Sequence, residues 1–194
     1  MSGRDEMRPA TPGVKLTYDD FVLFPEDGQR HELIDGAHYV TPSPARKHQA
    51  IVWNLTLLVG NYLRDQPVGR AFSAPFDVVF SEFDVVEPDL LFISSARLLD
   101  VLTTKHVRGA PDLVVEIGSP TTRKRDETIK RRLYERFGVS EYWVIDPEAE
   151  SVRVYRRTGE GYARAVELTL ERNDVLTTPL LAGLDLPLER IFED

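Results

Sequence analysis

The chain contains no cysteine. Disulfide frameworks and cysteine-ligated zinc or iron–sulfur centres are therefore excluded, and the composition fits a reducing compartment. Histidine is scarce: His31, His38, His48 and His106 are scattered, without zinc-site spacing. A glycine-rich phosphate loop is absent. Gly118-Ser119-Pro120 lacks the flanking glycine pattern of a nucleophile elbow. No apolar run approaches the roughly 20 residues of a membrane span. Met1 to Lys15 carries no apolar segment of the signal-peptide kind. These absences predict a cytoplasmic protein with no membrane association.

What is present is ordinary in bulk and uneven in detail. At 194 residues, with 42% hydrophobic and 29% charged residues, the chain is long enough to bury a core without staples. We expect a loose tail over 1–16 and a single domain over 17–194. The net charge of −8 argues against nonspecific nucleic-acid binding by the whole surface. Between Arg123 and Arg136, however, seven basic residues face three acids, a local +4 that leaves −12 for the rest. A charge run of this kind is usually a solvated helix face. Its position beside an acid-bearing strand also suits a phosphate-contacting edge.

Periodicity predicts the elements. Thr17 reads as the N-cap of a short helix that stops near Pro25. Gln29 to Ile34, a turn at Asp35-Gly36, and Ala37 to Thr41 read as a hairpin. Ala45 to Arg64 is the clearest amphipathic helix, with Ile51, Leu55, Leu58, Val59 and Tyr62 at helical spacing. Strands are predicted over Arg70 to Phe80, Val85 to Ile93, Leu113 to Ile117 and Glu141 to Asp146, with a short helix from Ser94 to Leu102. A second long helix spans Thr121 to Phe137, with Ile129, Leu133 and Phe137 as its buried stripe and Gly138 as its C-terminal cap. Ser151 to Arg156 and Gly161 to Leu168 read as an added hairpin, and the apolar tail ends in a helical turn near Leu188. This order predicts an α/β or α+β layer fold around a mixed sheet.

Two strands carry isolated acids, and an ionised carboxylate does not enter a core unpaired. Alternation puts Asp112, Val114, Glu116 and Gly118 on one face of their strand, and Glu87, Asp89, Leu91 and Ile93 on one face of theirs. If the two strands are neighbours, Asp89 and Glu116 lie side by side. Adjacent carboxylates raise each other's pKa unless a cation sits between them, and magnesium is such a cation. Asp112, four residues from Glu116 on the same strand, stands about 13 Å away, too far to share one metal. On the following helix Asp126, Lys130 and Tyr134 are spaced four apart and form one stripe. The simplest reading of that stripe is an Asp126–Lys130 ion pair, worth about 0.3–0.5 kcal/mol when exposed. The alternative pairs Lys130 with Glu116 across the helix–sheet seam.

Several segments together resemble one known family. They are LFPEDGQRHELIDG from Leu23, APFDVVF from Ala74, EPDLLFIS from Glu87, APDLVVEIGSP from Ala110 and RDETIKRRLYERFGVSEYWVIDP from Arg125. The set is similar to the Uma2 (DUF820) group of the PD-(D/E)xK nuclease superfamily, over roughly Thr17 to Arg156. The resemblance implies a restriction-endonuclease-like core, a mixed β-sheet flanked by helices. It implies Asp89 as the motif aspartate and Glu116 as the motif glutamate. Gly118 stands where the usual lysine would be, so the basic group moves to the following helix, at Lys130, with Lys124 as the competing candidate. Glu32 is a further candidate acid of the site. His48 is more readily an ordinary, partly exposed histidine.

The function so implied is a magnesium-dependent DNA endonuclease, with manganese as a substitute ion, that hydrolyses phosphodiester bonds. Asp89, Glu116 and the Ile117 carbonyl would hold the metal. Lys130 and Glu32 would complete the catalytic set, and Arg123, Arg125 and Arg131 would contact the DNA backbone. A homodimer or higher homo-oligomer follows by analogy with the superfamily. Two other readings stay open at this point. One is a nuclease-fold module that binds nucleic acid or a protein partner without turnover. The other is an interaction protein assembled through the Ser151 to Leu168 hairpin.

Overall fold

The structure is a computed structural model, and it describes residues 14–25, 27–41, 43–118 and 126–193. Residues 1–13 of the tail expected over 1–16, and Arg123, Lys124 and Arg125, lie outside the described residues.

Helix α1 (Tyr18–Phe21) is started by a capping box in which Thr17 and Asp20 bond each other's backbone N–H groups. Strands β1 (Arg30–Ile34) and β2 (Ala37–Thr41) form the expected hairpin, with Glu32 opposite Tyr39. Helix α2 (Arg46–Asp65) follows and buries Ile51, Leu55 and Val59. Then come β3 (Gly69–Ser73), β4 (Val78–Ser81), β5 (Asp84–Val86), β6 (Leu90–Ser94), α3 (Leu98–Val101), β7 (Val107–Arg108) and β8 (Leu113–Ile117). A π-helical turn, Asp126–Lys130, runs directly into α4, Arg131–Phe137, and Gly138 closes it at φ 82°. The chain ends through β9 (Glu141–Asp146), β10 (Ser151–Thr158), β11 (Gly161–Tyr162), β12 (Val166–Thr169), β13 (Val175–Thr177), β14 (Asp185–Pro187) and α5 (Leu188–Ile191).

Among the described residues the strands form three sheets. The main mixed sheet runs β11-β10-β9-β8-β6-β3, with β12 also paired to β10. Its β8–β9 pair is parallel, and β6 lies antiparallel to both β3 and β8. A second sheet runs β2-β1-β5-β4-β7, and β13 pairs with β14. The alternation read from the sequence assigns the faces of the main sheet correctly. Leu90, Phe92, Leu113, Val115 and Ile117 pack with α2 and the C-terminal segment. Leu91, Ile93 and Val114 pack with Leu133 and Tyr134 of α4 and with Ile34, Val78 and Val86 of the second sheet.

Four expectations need correction. The strand over Arg70 to Phe80 is two strands in different sheets, separated by Ala74-Pro75. The strand over Val85 to Ile93 likewise divides into β5 and β6, because Pro88 has no N–H to donate to a ladder. The 151–168 hairpin forms, with β10 paired to β11 and β12, but it is not an appendage, since β10 also pairs with β9 over Ser151–Arg156 and extends the main sheet. Ile129 is 38% exposed, whereas Lys130 is 2% exposed. The π-helical turn adds a residue to the helical repeat and turns Lys130, rather than Ile129, toward the sheet.

Candidate functional site: an acid cluster on the floor of a cleft

The division of β5 from β6 builds the site. Pairing of β6 with β8 sets Leu90 opposite Val115, and one further step of that register brings Asp89 opposite Glu116. Asp89 has left the ladder, and its side chain takes over part of the pairing: Oδ2 accepts from the Ile117 N–H at 2.7 Å. The same oxygen meets Nε2 of His48, in the first turn of α2, at 3.1 Å. Oδ1 accepts from Nη1 of Arg30 at 2.8 Å. Arg30 also pairs with Glu87, Nε to Oε1 at 2.6 Å.

Glu116 is served from the opposite direction. Lys130 Nζ donates to its Oε1 at 2.8 Å, and the Tyr134 hydroxyl donates to the same oxygen at 2.5 Å. Lys130 Nζ also lies 2.7 Å from Oε1 of Glu32, which in turn accepts from the Glu87 N–H at 3.1 Å. Strand β1 thus supplies Arg30 and Glu32, two residues apart on one face. The helical segment supplies Lys130 and Tyr134 one turn apart. Arg30, His48, Asp89, Glu116, Ile117 and Lys130 all border one cleft of about 800 Å³.

The electrostatics separate the two motif acids. Burial alone would raise Asp89, but the hydrogen bond and charge of His48, together with Arg30, outweigh it and hold its carboxyl at about 2. Burial pushes Glu116 up to about 8; Lys130 opposes the shift, while Asp126, Asp89 and Glu32 reinforce it. Glu87 rises to about 7, through burial offset by Arg30. Asp77 also rises, through burial and the charge of Glu32. Among the described residues, Glu32, Glu87, Asp89 and Glu116 meet two cations of fixed charge, Arg30 and Lys130. An excess of buried carboxylate oxygen is a donor set for a hard divalent cation. Both described hydrogen bonds to Glu116 land on Oε1, which leaves Oε2 for such an ion. No three acidic or histidine side chains among the described residues form a ready-made metal centre.

The expected site residues Asp89, Glu116, Lys130, Glu32 and Ile117 are thus brought together. His48, read as an ordinary histidine, is in fact bonded to Asp89. Asp126 is buried one turn before Lys130, and its backbone carbonyl accepts from the Tyr142 hydroxyl at 3.1 Å. Arg131 does not border the cleft; it pairs with Glu135 at 3.6 Å and lies over the Tyr155 ring. Arg30 and Glu87 were missed as site residues. Alternation along β1 held the signal for Arg30, since it shares a face with Glu32.

Comparison with known proteins bears on the family and the fold. An uncharacterized protein of Synechocystis sp. is 26% identical over 157 residues, covering 79% of this chain and 80% of that protein. The crystal structure of a "putative nuclease belonging to DUF820" from Anabaena variabilis superposes with a TM-score of 0.77 at 24% identity. It covers 91% of this chain and 97% of its own, and it shows the fold to be shared. No described helix is long and apolar enough to cross a membrane. The Uma2 family model, described as "Putative restriction endonuclease", matches residues 18–189, and the chain belongs to that family.

Proposed function

We propose that the protein is a divalent-metal-dependent endonuclease that hydrolyses phosphodiester bonds of DNA. The observation that carries this reading is the pair Asp89 and Glu116, opposite each other at the cleft, with Lys130 2.8 Å from Glu116. Asp89 and Glu116, with the Ile117 carbonyl, would hold the ion. A magnesium ion held by these groups would supply a more acidic water as nucleophile and would offset charge on the phosphate. The remaining work falls to the chain. Lys130 fixes Glu116 at 2.8 Å, and its ammonium would offset charge on the reacting phosphate. Glu32 holds Lys130 at 2.7 Å. Tyr134 fixes the same carboxylate oxygen as Lys130, which stops Glu116 from rotating. His48 and the Ile117 N–H hold Asp89 in place. Arg123 and Arg125 are the phosphate contacts expected from the sequence, and the DNA backbone their partner. Arg131, the third residue of that set, stands away from the cleft.

A nuclease-fold module that binds without turnover is favoured by one specific observation: both motif acids already carry protein cations, Arg30 and Lys130. Conversion of supercoiled plasmid to nicked circle, with magnesium or manganese, separates the two readings. Nicking by the native protein that is lost with Glu116→Gln and with chelator supports the enzyme. DNA binding that survives chelation, with no nicking, supports the module.

A further inference from the structure

We infer that Arg30 is the resident cation of the acid cluster: it occupies Asp89 until a divalent metal takes its place, and so sets how tightly the metal binds. This rests on the metal-dependent reading above and adds a positioning residue to it. The two oxygens of Asp89 are not equivalent. Oδ2 is held by the Ile117 N–H at 2.7 Å and by His48 at 3.1 Å, both from elements fixed by packing. Oδ1 is held by Arg30 at 2.8 Å. One oxygen therefore anchors the carboxylate while the other carries an exchangeable partner.

Three carboxylates act on the Arg30 guanidinium: Asp89, Glu87 and Glu116. Arg30 thus sits where the field of the cluster converges, the place a dication would also favour. It can leave Asp89 without becoming an unpaired buried charge. Its Nε keeps Glu87 Oε1 at 2.6 Å, and Nη1 lies 3.3 Å from the Glu87 carbonyl oxygen. Its backbone is fixed by pairing of Arg30 with Thr41 in the β1–β2 hairpin. A guanidinium and a dication about 5 Å apart repel, enough even at the dielectric of water to weaken metal binding ~10-fold. Arg30 therefore keeps Asp89 oriented when the metal is away and opposes the metal as it arrives.

The test measures free manganese by electron paramagnetic resonance during titration of the full chain, so its readout is metal binding and not cleavage. Arg30→Met keeps much of the apolar stem and removes the charge; Arg30→Lys keeps a charge; Glu116→Ala removes a ligand. Manganese should bind Arg30→Met ~10-fold more tightly than the native protein. Arg30→Lys should stay close to native, and Glu116→Ala should lose the site. Native binding with Arg30→Met equal or weaker overturns the inference and leaves the metal-dependent reading standing. No binding by either protein overturns both. If Arg30→Met does not fold, nitrogen-15 resonances of the Arg30 side chain in the native protein serve instead, during magnesium titration. A saturable shift is expected, and a signal that stays still while magnesium binds overturns the inference.

Discussion

Two Pro-Asp pairs stand at opposite ends of the β6–β8 strand pair, and their local bonding is the same. Asp89 takes the Ile117 N–H at 2.7 Å on one oxygen and Arg30 Nη1 at 2.8 Å on the other. Asp112 takes the Ser94 N–H and Arg97 Nη1, each at 2.8 Å. Both are nearly fully buried, at 2% and 6% exposure. In each, an aspartate side chain replaces a ladder acceptor where the strand ends and an arginine balances its charge. That device belongs to the fold. What sets the Asp89 end apart is the charge beyond it: Glu116 across the ladder, Glu32 and Lys130 behind Glu116, Glu87 on Arg30, and His48 on Asp89 itself. A buried Pro-Asp with an arginine is therefore no evidence of chemistry; the surplus of acids around it is.

Substitutions that treat the two ends alike should break the comparison if it is wrong. Asp89→Asn should cost at least ~10³-fold in metal-dependent nicking, since the charge stabilisation lost with a metal is several kcal/mol. Asp112→Asn, assayed beside it, should nick at the native rate. Lys130→Met should lower nicking ~10²-fold. It should also lower stability by about 3–5 kcal/mol in urea unfolding, because it removes the buried ammonium that Glu32 and Glu116 share. Asp112→Ala should cost about 1–3 kcal/mol in the same unfolding experiment, through the unsatisfied Ser94 N–H and the lost Arg97 bond, and leave manganese affinity unchanged.

A smaller effect sharpens the contrast through pH. The Glu116 carboxyl is raised from 4.5 to about 8 in the folded chain. Between those values the unfolded chain gives up the proton and the folded chain keeps it, so stability falls as pH rises through that window. Glu116→Gln removes the dependence, and its stability relative to native should rise from pH 4.5 to pH 8 in chemical denaturation. Asp89 has the opposite sign. Held at about 2, below its ordinary 3.8, it stabilises above 3.8, and this contribution is lost as pH falls toward 2. Arg131→Ala should change nicking least, because Arg131 stands off the cleft; a plasmid assay beside native protein checks it.

Much of this arrangement was legible in the sequence. Period-two alternation sorted Leu91, Ile93 and Val114 from Leu90, Phe92 and Val115, and the structure keeps those two sets in different cores. Alternation put Asp89 and Glu116 on facing positions only if their strands were neighbours, a condition that the β6–β8 pairing meets. The break at Glu87-Pro88-Asp89 was missed because hydrophobicity runs continuously from Val85 to Ile93, although Pro88 interrupts the ladder there. Lys130 was placed beside the buried stripe rather than in it, because an α-helical repeat does not anticipate a π-helical turn. The partnership of Arg30 with Asp89 joins residues 59 apart in sequence, which no local pattern reveals.

The central claim is that Asp89 and Glu116 together hold a divalent ion. Manganese soaked into crystals of the protein and located by anomalous scattering tests it without any choice of substrate, with Glu116→Ala as control. The expected result is a peak bridging Asp89 and Glu116 in native crystals, absent from the variant. An empty native site, with Arg30 still on Asp89 at saturating manganese, would contradict the claim and leave the non-catalytic nuclease-fold module in its place.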